Sequence, residues 1–142
     1  MSRIFWDTNL FVHLFENYGE HTAKVARLRE KMLERKDELY TSTLTIAEVL
    51  VKPQSLGLVL ACEEYEEAIR STAVVLDFNL AAARNYARLR AGNNRKIHPP
   101  DAIQLACAAS TGVDLFLTND KRLHDIRVDG IHFITSVDRA PL

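Results

Sequence analysis

The sequence predicts an α/β fold of three layers, in which a central parallel sheet of about five strands lies between two layers of helices. Short apolar runs alternate along the chain with longer stretches whose apolar residues recur at helical spacing. Parallel neighbouring strands need a crossover helix, and this alternation supplies the crossovers. The chain has 142 residues, the size of one ordinary domain, so we predict that residues 1–142 form a single domain.

The first predicted strand and the first long helix lie in the N-terminal quarter of the chain. Residues 4–6 are apolar and end abruptly at Asp7, which is typical of a buried strand that feeds a helix. Residues 21–36 form an amphipathic helix by their spacing. Its apolar face carries Val25, Leu28 and Met32.

The middle of the chain repeats the strand and helix pattern. Residues 39–41 predict a second strand, and the helix after it, over 42–51, is expected to stop before Pro53. Residues 58–70 predict a helix with its acidic residues mostly on the solvated side. The β-branched run in 72–76 predicts a third strand.

The last part of the chain completes the alternation. Residues 79–90 are helical by pattern. Two prolines open an alanine-rich helix over 99–111, which Gly112 ends. Residues 115–117 and 131–134 predict the fourth and fifth strands.

The composition argues against a protein that binds nucleic acid through its overall charge, a cysteine-based zinc protein, and a secreted or membrane protein. The 18 Lys and Arg residues against 19 Asp and Glu residues give a formal charge of -1, so nothing attracts the whole chain to nucleic acid or to an anionic membrane. Cys62 and Cys107 lack the spacing of a zinc site and are interpreted as reduced core thiols. The early Asp7 leaves no room for a signal peptide, and no apolar run approaches membrane-spanning length. We therefore expect a cytoplasmic protein without a membrane partner.

Four acids stand where chemistry is expected in such a fold. Asp7 follows the first strand and Asp120 follows the fourth, and ligands of parallel α/β sheets bind outside the carboxyl ends of the strands. Glu48 and Asp101 lie near helix starts. Carboxylates that converge repel one another unless a cation neutralises them, and oxygen ligands favour Mg²⁺ or Mn²⁺. We predict a metal site that activates water against a phosphate.

Each acid also has a purely structural interpretation. Thr45 and Glu48 have the spacing of a capping box. Asp7 and Asp120 have the position of helix N-caps, and Asp101 suits the positive end of a helix dipole.

Further polar groups are candidate supporting residues. Asn9 and Thr118 are placed to orient a carboxylate or a metal-bound water, although both also suit turns. Arg95 and Lys96 lie in the loop before Asp101 and are predicted to contact RNA phosphates. The five histidines are scattered along the chain, and we assign none of them a catalytic role.

Four short motifs together resemble the PIN-domain family, and most closely its VapC-type toxins. They are Asp-Thr-Asn at residue 7, Ile-Ala-Glu-Val at 46, His-Pro-Pro-Asp-Ala-Ile-Gln-Leu-Ala at 98 and Leu-Thr-Asn-Asp at 117. The resemblance implies that Asp7, Glu48, Asp101 and Asp120 bind Mg²⁺ or Mn²⁺ and cleave single-stranded RNA. It also implies a homodimer that an antitoxin holds inactive. Some relatives carry a further acid where this chain has Arg122, which puts a second tightly held metal in doubt.

These residues suit three functions. The first is a metal-dependent endoribonuclease that acts as the toxin of a type II toxin–antitoxin pair. The second is a non-catalytic PIN-like module that binds RNA or protein, although such a module would tend to lose one of the four acids. The third, a phosphatase with Asp7 as nucleophile, ranks last because Asn9 stands where a second Asp is usual.

Overall fold

The computed structural model describes residues 1–92 and 97–142. Within these ranges it contains five strands and six α-helices, and a short 3-10 turn over Lys121–Leu123. In chain order they are β1 (Arg3–Trp6), α1 (Thr8–Phe15), α2 (Glu20–Arg35), β2 (Glu38–Ser42), α3 (Thr43–Ser55), α4 (Val59–Thr72), β3 (Val74–Leu76), α5 (Leu80–Ala91), α6 (Pro99–Thr111), β4 (Val113–Leu117) and β5 (Ile131–Thr135). The predicted α/β class is confirmed.

The strands form one sheet in the order β3-β2-β1-β4-β5, and every neighbouring pair is parallel. The chain builds outward from β1 to β3 on one side and then continues on the other side of β1 with β4 and β5. This reversal makes the carboxyl ends of β1 and β4 a topological switch point, where open α/β sheets bind ligands. The strand order therefore places Asp7 beside the residues that follow β4.

Helices cover both faces of the sheet because side chains alternate along each strand. Ile4 and Trp6 of β1 pack into a core with residues of α1, α2, α3 and α4. Phe5, between them in sequence, packs into a second core with residues of α5 and α6, where its ring stacks on Phe116 at 5.0 Å. The fold therefore has the three predicted layers. None of the helices in the described ranges combines the length and apolar character needed to cross a bilayer.

Several predicted boundaries were wrong. The helix expected to stop before Pro53 continues to Ser55, because a proline in the last turn removes only one hydrogen bond of that turn. Thr72 ends α4 instead of starting β3, and its hydroxyl donates to the carbonyl of Ala68. The interpretation of both cysteines as core thiols holds for Cys107, which is buried, whereas Cys62 is half-buried.

Candidate active site

Asp7 stands where β1 ends and α1 begins. It is the N-cap of α1 and accepts a hydrogen bond of 2.8 Å from the backbone N–H of Thr8. Its other carboxylate oxygen accepts a 2.7 Å hydrogen bond from the hydroxyl of Thr118, which is fully buried. Burial raises the pKa of Asp7, the two hydrogen bonds oppose that rise, and the charge of Asp120 adds to it. Asp7 is thus both the N-cap of α1 and a buried carboxylate whose ionised form is disfavoured by burial and by the charge of Asp120.

Asp120 follows β4 and is held by Arg122. It is the N-cap of the 3-10 turn and accepts a 3.0 Å hydrogen bond from the backbone N–H of Arg122. The guanidinium of the same arginine binds both carboxylate oxygens, with Nε to Oδ1 at 3.0 Å and Nη2 to Oδ2 at 2.6 Å. These hydrogen bonds lower the pKa of Asp120. Arg122 is therefore an exposed residue that pairs with Asp120 through three hydrogen bonds.

Asp101 lies in the first turn of α6, as its position after the two prolines predicted. Its carboxylate is 3.7 Å from Nη2 of Arg122, the nitrogen that also binds Asp120. Burial raises the pKa of Asp101, and the charges of Asp7 and Asp120 raise it further. Three acids that are distant in sequence are thus close enough to repel one another.

Glu48 lies on α3 and reaches the same region from the side. Its Oε1 accepts a 2.6 Å hydrogen bond from the hydroxyl of Thr8. The predicted capping box of Thr45 and Glu48 was wrong, because the N-cap of α3 is Ser42, whose hydroxyl accepts from the N–H of Leu44. A β-strand that runs directly into the helix places that cap three residues earlier than the sequence suggested.

Gln104 is a component of the site that the sequence prediction missed. It is buried, and its amide nitrogen donates to the hydroxyls of Thr8 at 3.1 Å and Thr45 at 2.8 Å. Its amide oxygen accepts from the hydroxyl of Ser42. The sequence did contain a signal for Gln104. It lies three residues after Asp101 and therefore on the same face of α6.

The four acids line one cavity of about 110 Å³. Its lining residues are Asp7, Thr8, Asn9, Glu48, Pro100, Asp101, Gln104 and Asp120. We call it the carboxylate pocket. All four predicted catalytic acids are brought together there, and their role in catalysis stays a prediction.

The donor set of the carboxylate pocket fits a hard divalent cation, because it consists of carboxylate and hydroxyl oxygens that repel one another without positive charge. The ligands are not preassembled. In the described part of the chain, no three His, Cys, Asp or Glu side chains are placed close enough together to hold a metal ion. Oε1 of Glu48 is hydrogen-bonded to Thr8, and Asp120 is ion-paired with Arg122.

Comparison with protein families gives a match to the PIN domain model over residues 4–129. The chain belongs to the PIN domain family. No curated protein sequence matches this PIN domain.

Solved structures with the same fold include several VapBC proteins. A chain of VapBC2 from Rickettsia felis, bound to a DNA fragment from its promoter, has a TM-score of 0.74 at 15% identity and covers 94% of this PIN domain and 98% of itself. DNA-bound VapBC from Salmonella typhimurium gives 0.67 at 25% identity, covering 96% and 99%. VapBC-5 from Mycobacterium tuberculosis gives 0.64 at 19% identity, also covering 96% and 99%.

The two residues predicted to support the acids, Asn9 and Thr118, lie in different surroundings. Thr118 is buried against Asp7, whereas Asn9 is exposed at the edge of the carboxylate pocket. Arg95 and Lys96, the predicted RNA contacts, lie outside the described residues.

A larger groove is lined in part by Asn119 and Lys121, the residues on either side of Asp120. Its volume is about 560 Å³, and it is lined by His13, His21, Lys24, Val25, Asn119, Lys121, His124, Asp125, Ser136, Val137, Asp138 and Arg139. We call it the histidine groove. The rings of His13 and His21 stack at 5.0 Å, and the amide nitrogen of Asn119, the residue before Asp120, lies 3.3 Å from Nδ1 of His13. Histidines that are scattered in the sequence therefore share one surface in the fold.

Proposed function

We propose that this PIN domain is a Mg²⁺- or Mn²⁺-dependent endoribonuclease that cleaves single-stranded RNA. The observation that carries the proposal is the carboxylate pocket, because acids from four separate parts of the chain meet at the switch point of the sheet. Structural capping alone would explain Asp7 and Asp120 one at a time. It would not explain why the exposed Glu48 and the helix residue Asp101 lie at the same cavity.

When bound, the divalent ion would supply positive charge to the scissile phosphate and help ionise the attacking water. The chain prepares that chemistry with fixed hydrogen bonds. Thr118 and the N–H of Thr8 hold the carboxylate of Asp7 in one orientation, and Gln104 fixes the hydroxyl of Thr8. Pocket side chains positioned by neighbours lose less freedom when a ligand binds, which favours tight and ordered binding.

The histidine groove supports an extended, single-stranded substrate. Unpaired nucleotides bind to proteins through base stacking on aromatic rings and through cations at the phosphates. The groove offers the stacked rings of His13 and His21 together with Lys121 and Arg139, and it begins one residue from Asp120. A strand lying in the groove would bring one phosphate to the acids.

We also propose that the protein is the toxin of a type II pair with an antitoxin partner, and that it forms a homodimer. The solved relatives named above are VapBC proteins. The one from Mycobacterium tuberculosis is described as a member of a family of toxin–antitoxin systems. Exposed apolar side chains at the junction of α3 and α4 support a protein partner, because such patches mark interfaces. The exposed fraction of each residue in this patch lies between 50% and 73%. The residues are Val51, Leu56, Leu58, Val59 and Leu60.

The test of the nuclease is cleavage of a labelled single-stranded RNA by the purified protein, with EDTA, Mg²⁺ or Mn²⁺. We expect cleavage only with the metals, and at least a hundredfold loss, on the order of removing one catalytic group, in Glu48→Gln. The matched control is Glu63→Gln on α4, an exposed helix glutamate outside the carboxylate pocket, which should cleave like the wild type. Asp7→Asn should be inactive as well.

Other outcomes separate the alternatives. RNA binding without metal-dependent cleavage would favour the non-catalytic module. Equal activity in Glu48→Gln and the wild type would remove the carboxylate pocket from the mechanism.

The dimer is tested by light scattering during size-exclusion chromatography. We expect twice the monomer mass for the wild type and the monomer mass for Val59→Lys, which puts a charge into the apolar patch. A monomeric wild type at micromolar concentration would contradict the homodimer. Co-expression with the gene product encoded next to this one tests the antitoxin, whose binding should suppress the RNA cleavage.

A further inference from the structure

The side chain of Arg122 forms ion pairs with two acids of the carboxylate pocket, Asp101 and Asp120. Its guanidinium binds Asp120 through two nitrogens, and Nη2 also lies 3.7 Å from Oδ2 of Asp101. Nη1 donates to Nε2 of His98, the residue that precedes α6, at 3.0 Å. One side chain therefore connects the segment after β4 with the start of α6.

The guanidinium of Arg122 offsets part of the repulsion between the acids of the carboxylate pocket. The negative charges of Asp7, Asp101 and Asp120 repel one another. Among the described residues, Arg122 is the basic side chain that lies within 4.0 Å of both Asp101 and Asp120. A planar guanidinium bound to both oxygens of a carboxylate leaves few lone pairs for another cation. Among the described residues, Arg122 thus takes three of the roughly four lone pairs of Asp120, which weakens this carboxylate as a ligand for a divalent ion while Arg122 stays in place.

We propose that Arg122 is an internal counter-cation that competes with the divalent metal for Asp120. This inference rests on the proposed metal-dependent function and concerns the regulation of the same pocket. Arg122 stabilises the acids when no metal is bound, and the metal has to displace it from Asp120. The side chain is 59% exposed, so it can swing away into solvent without disturbing the core. The arginine thereby sets the metal concentration at which the pocket fills.

The experiment measures Mn²⁺ binding directly, by the loss of the free-ion electron paramagnetic resonance signal, with no RNA present. We expect Arg122→Gln to bind Mn²⁺ about tenfold more tightly than the wild type, at the low end of effects seen for residues that contact metal ligands. Lys121→Gln is the control, because it removes the same charge from the neighbouring residue, which forms no ion pair within 4.0 Å among the described residues. Arg122→Lys, which keeps the charge but not the paired hydrogen bonds, should fall between the two.

The possible results separate this inference from the proposed function. Unchanged or weaker Mn²⁺ binding in Arg122→Gln, or an equal gain in Lys121→Gln, would overturn the competition. Absence of Mn²⁺ binding in the wild type and in all variants at millimolar concentration would overturn both proposals. Tighter binding in Arg122→Gln without RNA cleavage by any variant would support the competition and reject the nuclease. Circular dichroism and thermal melts confirm that each variant is folded before the comparison.

Discussion

The hydroxyl of Thr118 donates a 2.7 Å hydrogen bond to Oδ2 of Asp7, and this bond joins the ends of β1 and β4 inside the protein. Both residues are buried, Thr118 completely. The same hydroxyl accepts a 3.1 Å hydrogen bond from the backbone N–H of Asp120. A single threonine therefore positions two of the four acids.

Replacing Thr118 by valine should damage both stability and function. Valine has the same shape but no hydroxyl, so the carboxylate of Asp7 and the N–H of Asp120 each lose a partner, at a cost of about 1–3 kcal/mol in the free energy of unfolding. Metal-dependent cleavage should fall by about tenfold or more. Urea unfolding and RNA cleavage measure the two effects. Thr118→Ser, which restores the hydroxyl, should recover most of both, and failure to recover would argue against the hydrogen bond as the cause.

Replacing Gln104 by leucine should destabilise the protein by about 2 kcal/mol. The amide is bonded to Thr8, Ser42 and Thr45, and leucine would leave these hydroxyls without that partner in a buried place. Thermal unfolding with and without Mg²⁺ measures the loss. Ser110→Ala on the same helix is the comparison, since its hydroxyl bonds only to the carbonyl of Cys107 among the described residues. Equal melting temperatures for Gln104→Leu and the wild type would show that the network contributes nothing to stability.

Asp101→Asn should stabilise the metal-free protein, and the gain should depend on pH. The pKa of Asp101 is raised above the ordinary value of 3.8 by burial and by the charges of Asp7 and Asp120. The folded state therefore binds this proton more tightly than the unfolded state, so the ionised form costs stability above the folded pKa. The variant should melt at a higher temperature than the wild type near pH 7. The difference should shrink as the pH falls through the raised pKa and vanish below about 3.8.

Melts in EDTA between pH 4 and pH 8 test this dependence. Glu63→Gln serves as the control, because it removes a carboxylate that lies away from the carboxylate pocket. Saturating Mg²⁺ should reverse the order, since a ligand that binds the folded wild type more tightly stabilises it more. A gain for Asp101→Asn that is the same at every pH would contradict the electrostatic explanation.

Gly130→Ala should destabilise the fold by about 3 kcal/mol or more. Gly130 has a φ of 96°, and a Cβ there would lie 2.5 Å from the carbonyl oxygen of Ala109 on α6. Backbone strain and a clash with backbone atoms therefore add together. Gly57→Ala, at a φ of 69° with nothing within 4 Å, should cost only about 1 kcal/mol. Chemical denaturation compares the two variants, and equal losses would show that the contact with α6 does not matter.

Much of the fold was predictable from local pattern. The five strands and five of the six α-helices were predicted near their observed positions, because apolar periodicity reports which side of an element is buried. The boundaries at Pro53 and Thr72 were not, since adding about one turn or less to the end of a helix changes the free energy little and depends on neighbouring contacts.

The sequence by itself determined the α/β class, the four acids of the carboxylate pocket and the strand-end position of two of them. Only the tertiary structure decided that β4 lies next to β1, that Arg122 binds Asp120, and that Gln104 connects three hydroxyls of the site. The physical reason is the distance along the chain over which each interaction acts. Periodicity and capping act over a few residues, whereas strand order and side-chain pairing depend on which distant surfaces pack together, and no local pattern encodes that choice.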